Sequence, residues 1–218
     1  MIRWIVPMGL FVLGNIVEGK LPAAAYPIAY CAKVLLVAVA TCFCAGAWRA
    51  EIRFDRRAWL AGGCIGIAGI GIWLALEAIP YPHLGSRTAF DPFASIPDSA
   101  GRTLFLVARF FGLAVLVPVI EEVFWRGFAL RFASDVFKPV EGGWARLALG
   151  EHSAASSIAV AIVFGLAHPE WLAGTVYALG LGVVLSRTRS LATCIVAHGV
   201  TNLLLGAWVL IRHEWSLW

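Results

Sequence analysis

TLFLVARFFGLAVLVPVIEEVFWRGFALRF, residues 103–132, is the stretch that decides the fold class. It is longer than the roughly 20 residues a helix needs to cross the hydrocarbon core of a bilayer. Apolar segments of the same kind recur at 2–17, 27–48, 59–79, 154–168, 171–186 and 191–211. Over 218 residues the chain is 61% hydrophobic and 14% charged, with a mean hydropathy of +0.83. Soluble domains carry about a quarter charged residues. The predicted fold is therefore all-α, a polytopic transmembrane helical bundle of about seven to eight helices. Segments 2–17, 154–168 and 171–186 are short for a span and are expected to be tilted, interfacial or packed inside the bundle. No internal repeat is visible.

A net charge of +4 does not point to nucleic acid, because the basic residues sit beside apolar segments in the manner of membrane topology. Placing the loop with Arg49, Arg53, Arg56 and Arg57 in the cytoplasm, with seven spans, puts Arg3, Arg131, Lys138, Arg146, Arg187 and Arg189 inside as well. Lys20, Arg87, Arg102 and Arg212 then fall outside. The expected N-terminus is cytoplasmic and the C-terminus external. MIRWIVPMGLFVLGNIVEG lacks a convincing small-residue cleavage site and is read as the first membrane segment. The cysteines Cys31, Cys42, Cys44, Cys64 and Cys194 all lie in apolar stretches without metal or redox spacing, as buried free thiols do. The proline-bearing loop 80–101 is expected to be irregular, external and laid over the bundle. The cytoplasmic loop 133–153 is expected to hold a short interfacial helix.

Ionisable residues inside spans are rare and are functional candidates by default. Here they are Lys33, Arg109, Glu121, Glu122, Arg126, His168 and His198, with Asn202 as a neutral companion. Glu122 and Arg126 share a helix face at four-residue spacing, and Glu121 is turned about 100° from Glu122. One carboxylate can face Arg126 while the other faces the bundle interior. Phe164 and His168 share a face, and Pro169 disfavours helical backbone at His168. The helix should break there, against protein or a water-filled cavity. His198 and Asn202 again share a face. Taken singly, the three pairs also read as an interfacial ion pair, a boundary histidine anchored by Trp171, and polar glue between helices. Together, two acids and two histidines in a low-dielectric cleft are what proton-transfer chemistry requires. A carboxylate there can take a proton from water, while imidazole and amide groups hold that water and donate to an oxyanion. At about 1.5 Å per residue, Glu122 falls near the inner boundary and His168 deeper. Their meeting needs tilt, a late start to helix 154–168, or a cavity open to the cytoplasm.

EEVFWR (Glu121, Glu122, Arg126), FGLAH (Phe164, His168) and HGVTN (His198, Asn202) occur in order. The set resembles the CPBP intramembrane proteases, the CAAX protease and bacteriocin-processing family, over roughly residues 115–210. RTAFDPF, residues 87–93, further resembles the branch found beside bacterial exosortase systems. Hydropathy and charge give N-terminal transmembrane helices and an external loop at 1–102, and the resemblance implies a catalytic helical core at 103–218, in one integrated membrane domain. It implies an endopeptidase that cuts near the end of a membrane-tethered protein or peptide in a bacterial inner membrane, by glutamate-activated water. The implied catalytic set is Glu121, Glu122, His168, His198 and Asn202, supported by Arg126 and Phe164. Glu121 is favoured as the base, with Glu122 a structural anion beside Arg126. No cofactor is expected. Zinc, if bound, would use Glu121, His168 and His198, which lack the compact H-E-x-x-H arrangement. The competing readings are a non-catalytic immunity or scaffold partner, and a proton-coupled transporter. Transport is disfavoured by the missing repeat and the small helix count. A rhomboid-like serine protease lacks its Gly-x-Ser nucleophile in a spanning run.

Overall fold

The computed structural model describes residues 1–85 and 89–217. Arg87, part of the topology expectation, lies outside the described residues, as does the start of the 87–93 stretch. Among the described residues there is no strand. The helices are α1 (Ile2–Glu18), α2 (Tyr26–Cys44), α3 (Arg56–Glu77), a short α4 (Pro92–Ser95), α5 (Ser99–Phe137), α6 (Ala154–Leu166), α7 (Trp171–Thr188) and α8 (Leu191–Arg212). By length and composition, α3, α5, α8 and the segment Ala23–Ala47 around α2 are apolar and long enough to cross a membrane. Helix α6 is apolar but only 13 residues long. Large apolar side chains such as Ile28, Leu35 and Phe43 on α2 and Ile211 on α8 face outward, as a bilayer solvent requires.

Local chemistry sets the helix starts. Asp98 accepts a 2.6 Å hydrogen bond from the Gly101 amide, so α5 begins at Ser99, ahead of the apolar run at 103. Asp55 caps α3 in the same way, Ser153 and Ser156 form a capping box on α6, and Ser190 caps α8. Helix α5 runs on to Phe137. The interfacial helix expected within 133–153 is therefore replaced by the end of α5 and a single 3-10 turn at Trp144–Arg146. Residues 82–84 of the loop expected to cover the bundle pack on the α6–α7 turn, whereas the far end of the expected irregular stretch is helical, at Pro92–Ser95 and from Ser99. Trp171 Nε1 donates to the Pro82 carbonyl at 2.8 Å, and the Leu84 amide donates to the Pro169 carbonyl at 3.0 Å.

Helix α5 contains two π-helical stretches, Gly112–Leu116 and Val123–Ala129. Pro118 has no N–H to offer the preceding turn, and a wider turn absorbs that mismatch. Carbonyls freed in a membrane need other donors. Asn202 Nδ2 donates to the Leu113 carbonyl at 2.9 Å. Helices α3 and α8 lie parallel along a seam of small residues. A Cβ on Gly62 would come within 2.7 Å of Val196 Cβ, one on Gly66 within 2.6 Å of the Ala197 carbonyl, and one on Gly69 within 2.6 Å of Thr201 Oγ1. Backbones this close pack by dispersion, which replaces the hydrophobic drive that lipid removes. Thr201 Oγ1 also donates across the seam to the Gly66 carbonyl at 3.0 Å. The seam holds α3 directly against α8.

Candidate active site

Glu122 is fully buried, and three contacts converge on its carboxylate. Arg126 Nη1 donates to Oε1 at 3.2 Å, Arg126 Nε lies 3.2 Å from Oε2, and His198 Nδ1 donates to Oε1 at 2.8 Å. The second π-helical stretch leaves the Glu122–Arg126 pairing expected from four-residue spacing intact. Arg126 is itself 3% exposed, donates to the Ala178 carbonyl at 3.3 Å, and lies 4.9 Å above the Phe164 ring. The pair is thus a buried ion pair, rather than one at a helix end among headgroups. The reason is the length of α5. Glu121 lies 16 residues before Phe137, about 24 Å from the helix end at 1.5 Å per residue.

A carboxylate only accepts, so His198 carries its proton on Nδ1 toward Glu122, which leaves Nε2 to face the other way. There it meets Glu121. Oε2 of Glu121 lies 4.0 Å from His198 Nε2, is buried, and has no hydrogen-bond partner. Four ångströms is too long for a hydrogen bond and suits one bridging water. The two adjacent glutamates therefore differ: Glu122 accepts two hydrogen bonds through Oε1 and has an ion-pair contact with Arg126 through Oε2, whereas Glu121 lies at the cavity wall.

Glu121, His168, His198 and Asn202 all line one cavity of about 220 Å³. Glu122 does not line it and reaches it through His198, which does. His168 lies in the turn between α6 and α7, where Pro169 ends the helix. Its Nδ1 donates to the Phe164 carbonyl at 2.8 Å, which fixes the ring and leaves Nε2 as the second nitrogen. Phe164, 1% exposed, stacks on His168 at 4.6 Å and meets Trp125 edge-on at 5.7 Å. Asn202 spends one N–H on the Leu113 carbonyl and keeps its remaining amide atoms at the cavity wall.

Sequence reasoning did not single out Tyr177 or Thr201. Tyr177 lines the cavity, packs edge-on to His198 at 5.7 Å and donates to Thr201 Oγ1 at 2.9 Å. Neither carries a charge to mark it against an apolar helix. Their only signal is a hydroxyl near the level of His198. The cavity lining also includes Trp73, Glu170 and Leu217. Trp73 lies near the end of α3, and Leu217 lies beyond the end of α8. Because α3 and α8 are parallel, this is the end of the bundle opposite Arg56 and Arg189. A cavity opening to the arginine side, one of the ways expected to bring the residues together, is not what the fold uses. The late end of α5 and the short α6 bring them together.

Glu121, His168 and His198 are the residues through which a metal would be held. Among the described residues, no group of three His, Cys, Asp or Glu side chains is placed to hold one.

Residues 103–204 match the model of a family described as Rce1-like, type II CAAX prenyl endopeptidase. This segment is similar to that CAAX endopeptidase family. Every residue of the cluster, from Glu121 to Asn202, lies inside the matched span. At the level of the family, the match indicates a membrane-embedded protease, a hydrolase of peptide bonds. No curated protein and no solved structure matches the chain.

Proposed function

We propose that the protein is an intramembrane endopeptidase in which Glu121 activates the attacking water. The single observation that supports this is the open Glu121 carboxylate, buried and 4.0 Å from His198 Nε2 in the shared cavity. Water held between them donates one hydrogen to Glu121 and the other to His198 Nε2. As its oxygen attacks the scissile carbonyl carbon, Glu121 takes the proton. The remaining amide N–H of Asn202 receives the oxyanion. When the tetrahedral intermediate collapses, Glu121 returns the proton to the leaving nitrogen and the C–N bond breaks. The products are a carboxyl and an amine, and Glu121 is ionised again. Glu122 acts through His198, fixing its tautomer and orientation while Arg126 fixes Glu122. His168, held by Phe164, flanks the reacting carbonyl.

The substrate is a membrane-tethered protein or peptide cut near its end. No step requires a metal. The arginine distribution supports a cytoplasmic N-terminus, in a bacterial inner membrane, and the cavity then faces the outer side.

The test is comparative N- and C-terminal proteomics of membranes carrying the wild type or Glu121→Gln. Shortened tails should vanish with the variant, at unchanged expression. Retained processing would overturn the mechanism. A cellular phenotype that survives both Glu121→Gln and His198→Ala would instead favour a non-catalytic immunity or scaffold role.

A further inference from the structure

Glu122 fixes one end of the His198 ring, through Nδ1 at 2.8 Å, while Nε2 at the other end stands 4.0 Å from Glu121. The torsion that turns an imidazole about its Cβ–Cγ bond is broad, so a single hydrogen bond leaves Nε2 room to swing. What limits the swing is aromatic. Tyr177 on α7 meets His198 at 5.7 Å with the ring planes 71° apart, and Phe164 on α6 meets it at 6.5 Å and 65°. Phe164 is already stacked on His168 at 4.6 Å. Tyr177 is the nearer of the two rings, and both ends of it are held.

The hydroxyl of Tyr177 donates to Thr201 Oγ1 at 2.9 Å. Thr201 has one hydroxyl proton and two carbonyls in reach, Gly66 on α3 and Ala197 on α8, each at 3.0 Å. The phenol proton is therefore committed to the tie, and is not a proton for the reaction. Trp73 on α3 packs edge-on to Tyr177 at 6.1 Å. A Cβ on Gly69 would come within 2.9 Å of Tyr177 Cε2 and 2.6 Å of Thr201 Oγ1, so Gly69 is where α3 makes room for the pair. Thr201 follows His198 by three residues, on the same face of α8. Tyr177 thus carries the rigidity of the α3–α8 seam to the wall of the cavity, beside the His198 ring.

We infer that Tyr177 is a positioning residue: its ring, tied to Thr201, holds His198 so that Nε2 stays directed at the water shared with Glu121. Glu122 sets which nitrogen carries the proton, and Tyr177 sets where the other nitrogen points. A misplacement of about 1 Å in such a site can cost about 100-fold in rate. This rests on the hydrolase reading above and adds a residue that acts through His198 and takes no proton itself.

The test pairs turnover with a reading of His198 that needs no turnover. Wild type, Tyr177→Leu, Tyr177→Phe and Thr201→Val are compared in proteoliposomes, with a farnesyl-cysteine peptide as the cleavage probe. Nuclear magnetic resonance of isotope-labelled histidine nitrogens reads the ring, and the His198 signals are assigned by their loss in His198→Gln. The wild type should hold His198 as one tautomer, its proton on Nδ1 and slow to exchange with water. In Tyr177→Leu, kcat should fall about 10- to 100-fold with KM little changed, and the Nδ1 proton should exchange faster. Tyr177→Phe keeps the ring and loses the tie, so it should recover part of that loss. Thr201→Val cuts the same bond, so it should match Tyr177→Phe, and the double variant should be no worse than either. Mixed tautomers in the wild type overturn the inference without any variant. His198 signals unmoved in every folded variant also overturn it, as does a loss carried in KM alone, which would make Tyr177 a wall that substrate touches. A Tyr177→Phe loss equal to that of Tyr177→Leu would assign the effect to the hydroxyl and overturn it too. If the wild type cleaves nothing while the His198 signals behave as expected, the hydrolase reading falls and the positioning of His198 by Tyr177 stands.

Discussion

Adjacent glutamates with opposite surroundings should fail in opposite ways when each is changed to glutamine. Glu122 accepts a 2.8 Å bond from His198 and makes two 3.2 Å contacts with Arg126, with none of its surface exposed. Glu122→Gln strips the anion from a buried guanidinium, and breaking such a pair costs about 3–5 kcal/mol. At about 2–4 °C per kcal/mol for a chain of this size, thermal unfolding should fall by about 6–20 °C. Glu121 makes no hydrogen bond through Oε2, so Glu121→Gln removes no partner there and should shift unfolding by less than about 1 kcal/mol. Its cost lies in the reaction, where loss of a general base lowers the rate by about 10²- to 10⁴-fold. Near-UV circular dichroism melts in detergent, run beside peptide cleavage, separate the two. Adding Arg126→Met to Glu122→Gln should recover much of the lost stability, because no unpaired charge then stays buried. Equal melting losses for the two single variants, or a Glu122→Gln protein as stable as wild type, would refute this division of labour.

Three further outcomes are expected. Gly66→Leu would drive a side chain into the Ala197 carbonyl and Val200, costing about 1–3 kcal/mol or more, and should lower the yield of folded protein by size-exclusion chromatography. If water is activated without a metal, 1,10-phenanthroline should leave cleavage unchanged, and a loss reversed by added zinc would overturn that part of the mechanism. Burial, and next the positive charge of Arg189, push the His152 imidazole below its ordinary range of about 6.5. The unfolded chain then binds the proton more readily, so stability should fall as pH drops below about 6.5 and level off above it. His152→Gln should flatten that acid-side slope in melts at pH 5.5 and 7.5, and an unaltered slope would refute the assignment.

The helices were legible because their signals are local. Each apolar run lies close to an observed helix, and a cap explains the early start of α5 at Asp98. The break at His168 was readable from Pro169, and the shared faces of Glu122 with Arg126 and of His198 with Asn202 follow from helical spacing. The continuation of α5 to Phe137 was harder to read, because Ser134, Asp135 and Lys138 look like loop chemistry. Ser134 is in fact buried, its Oγ 2.8 Å from both the Leu130 carbonyl and Ser156 Oγ.

By itself the sequence determined a helical membrane protein, its polar residues and their order along the chain, since hydropathy and four-residue periodicity need no knowledge of neighbours. Only the tertiary structure decided which glutamate pairs with Arg126 and His198 and which one lines the cavity. That depends on His198, 76 positions away, donating to one carboxylate and standing 4.0 Å from the other. It also decided that Arg109 shares a cavity with Glu121, and that the cavity lies away from the arginine-bearing loops. Contacts between distant helices are set by the glycine seam and the π-helical stretches of α5, where sub-ångström packing rather than residue type selects the partner.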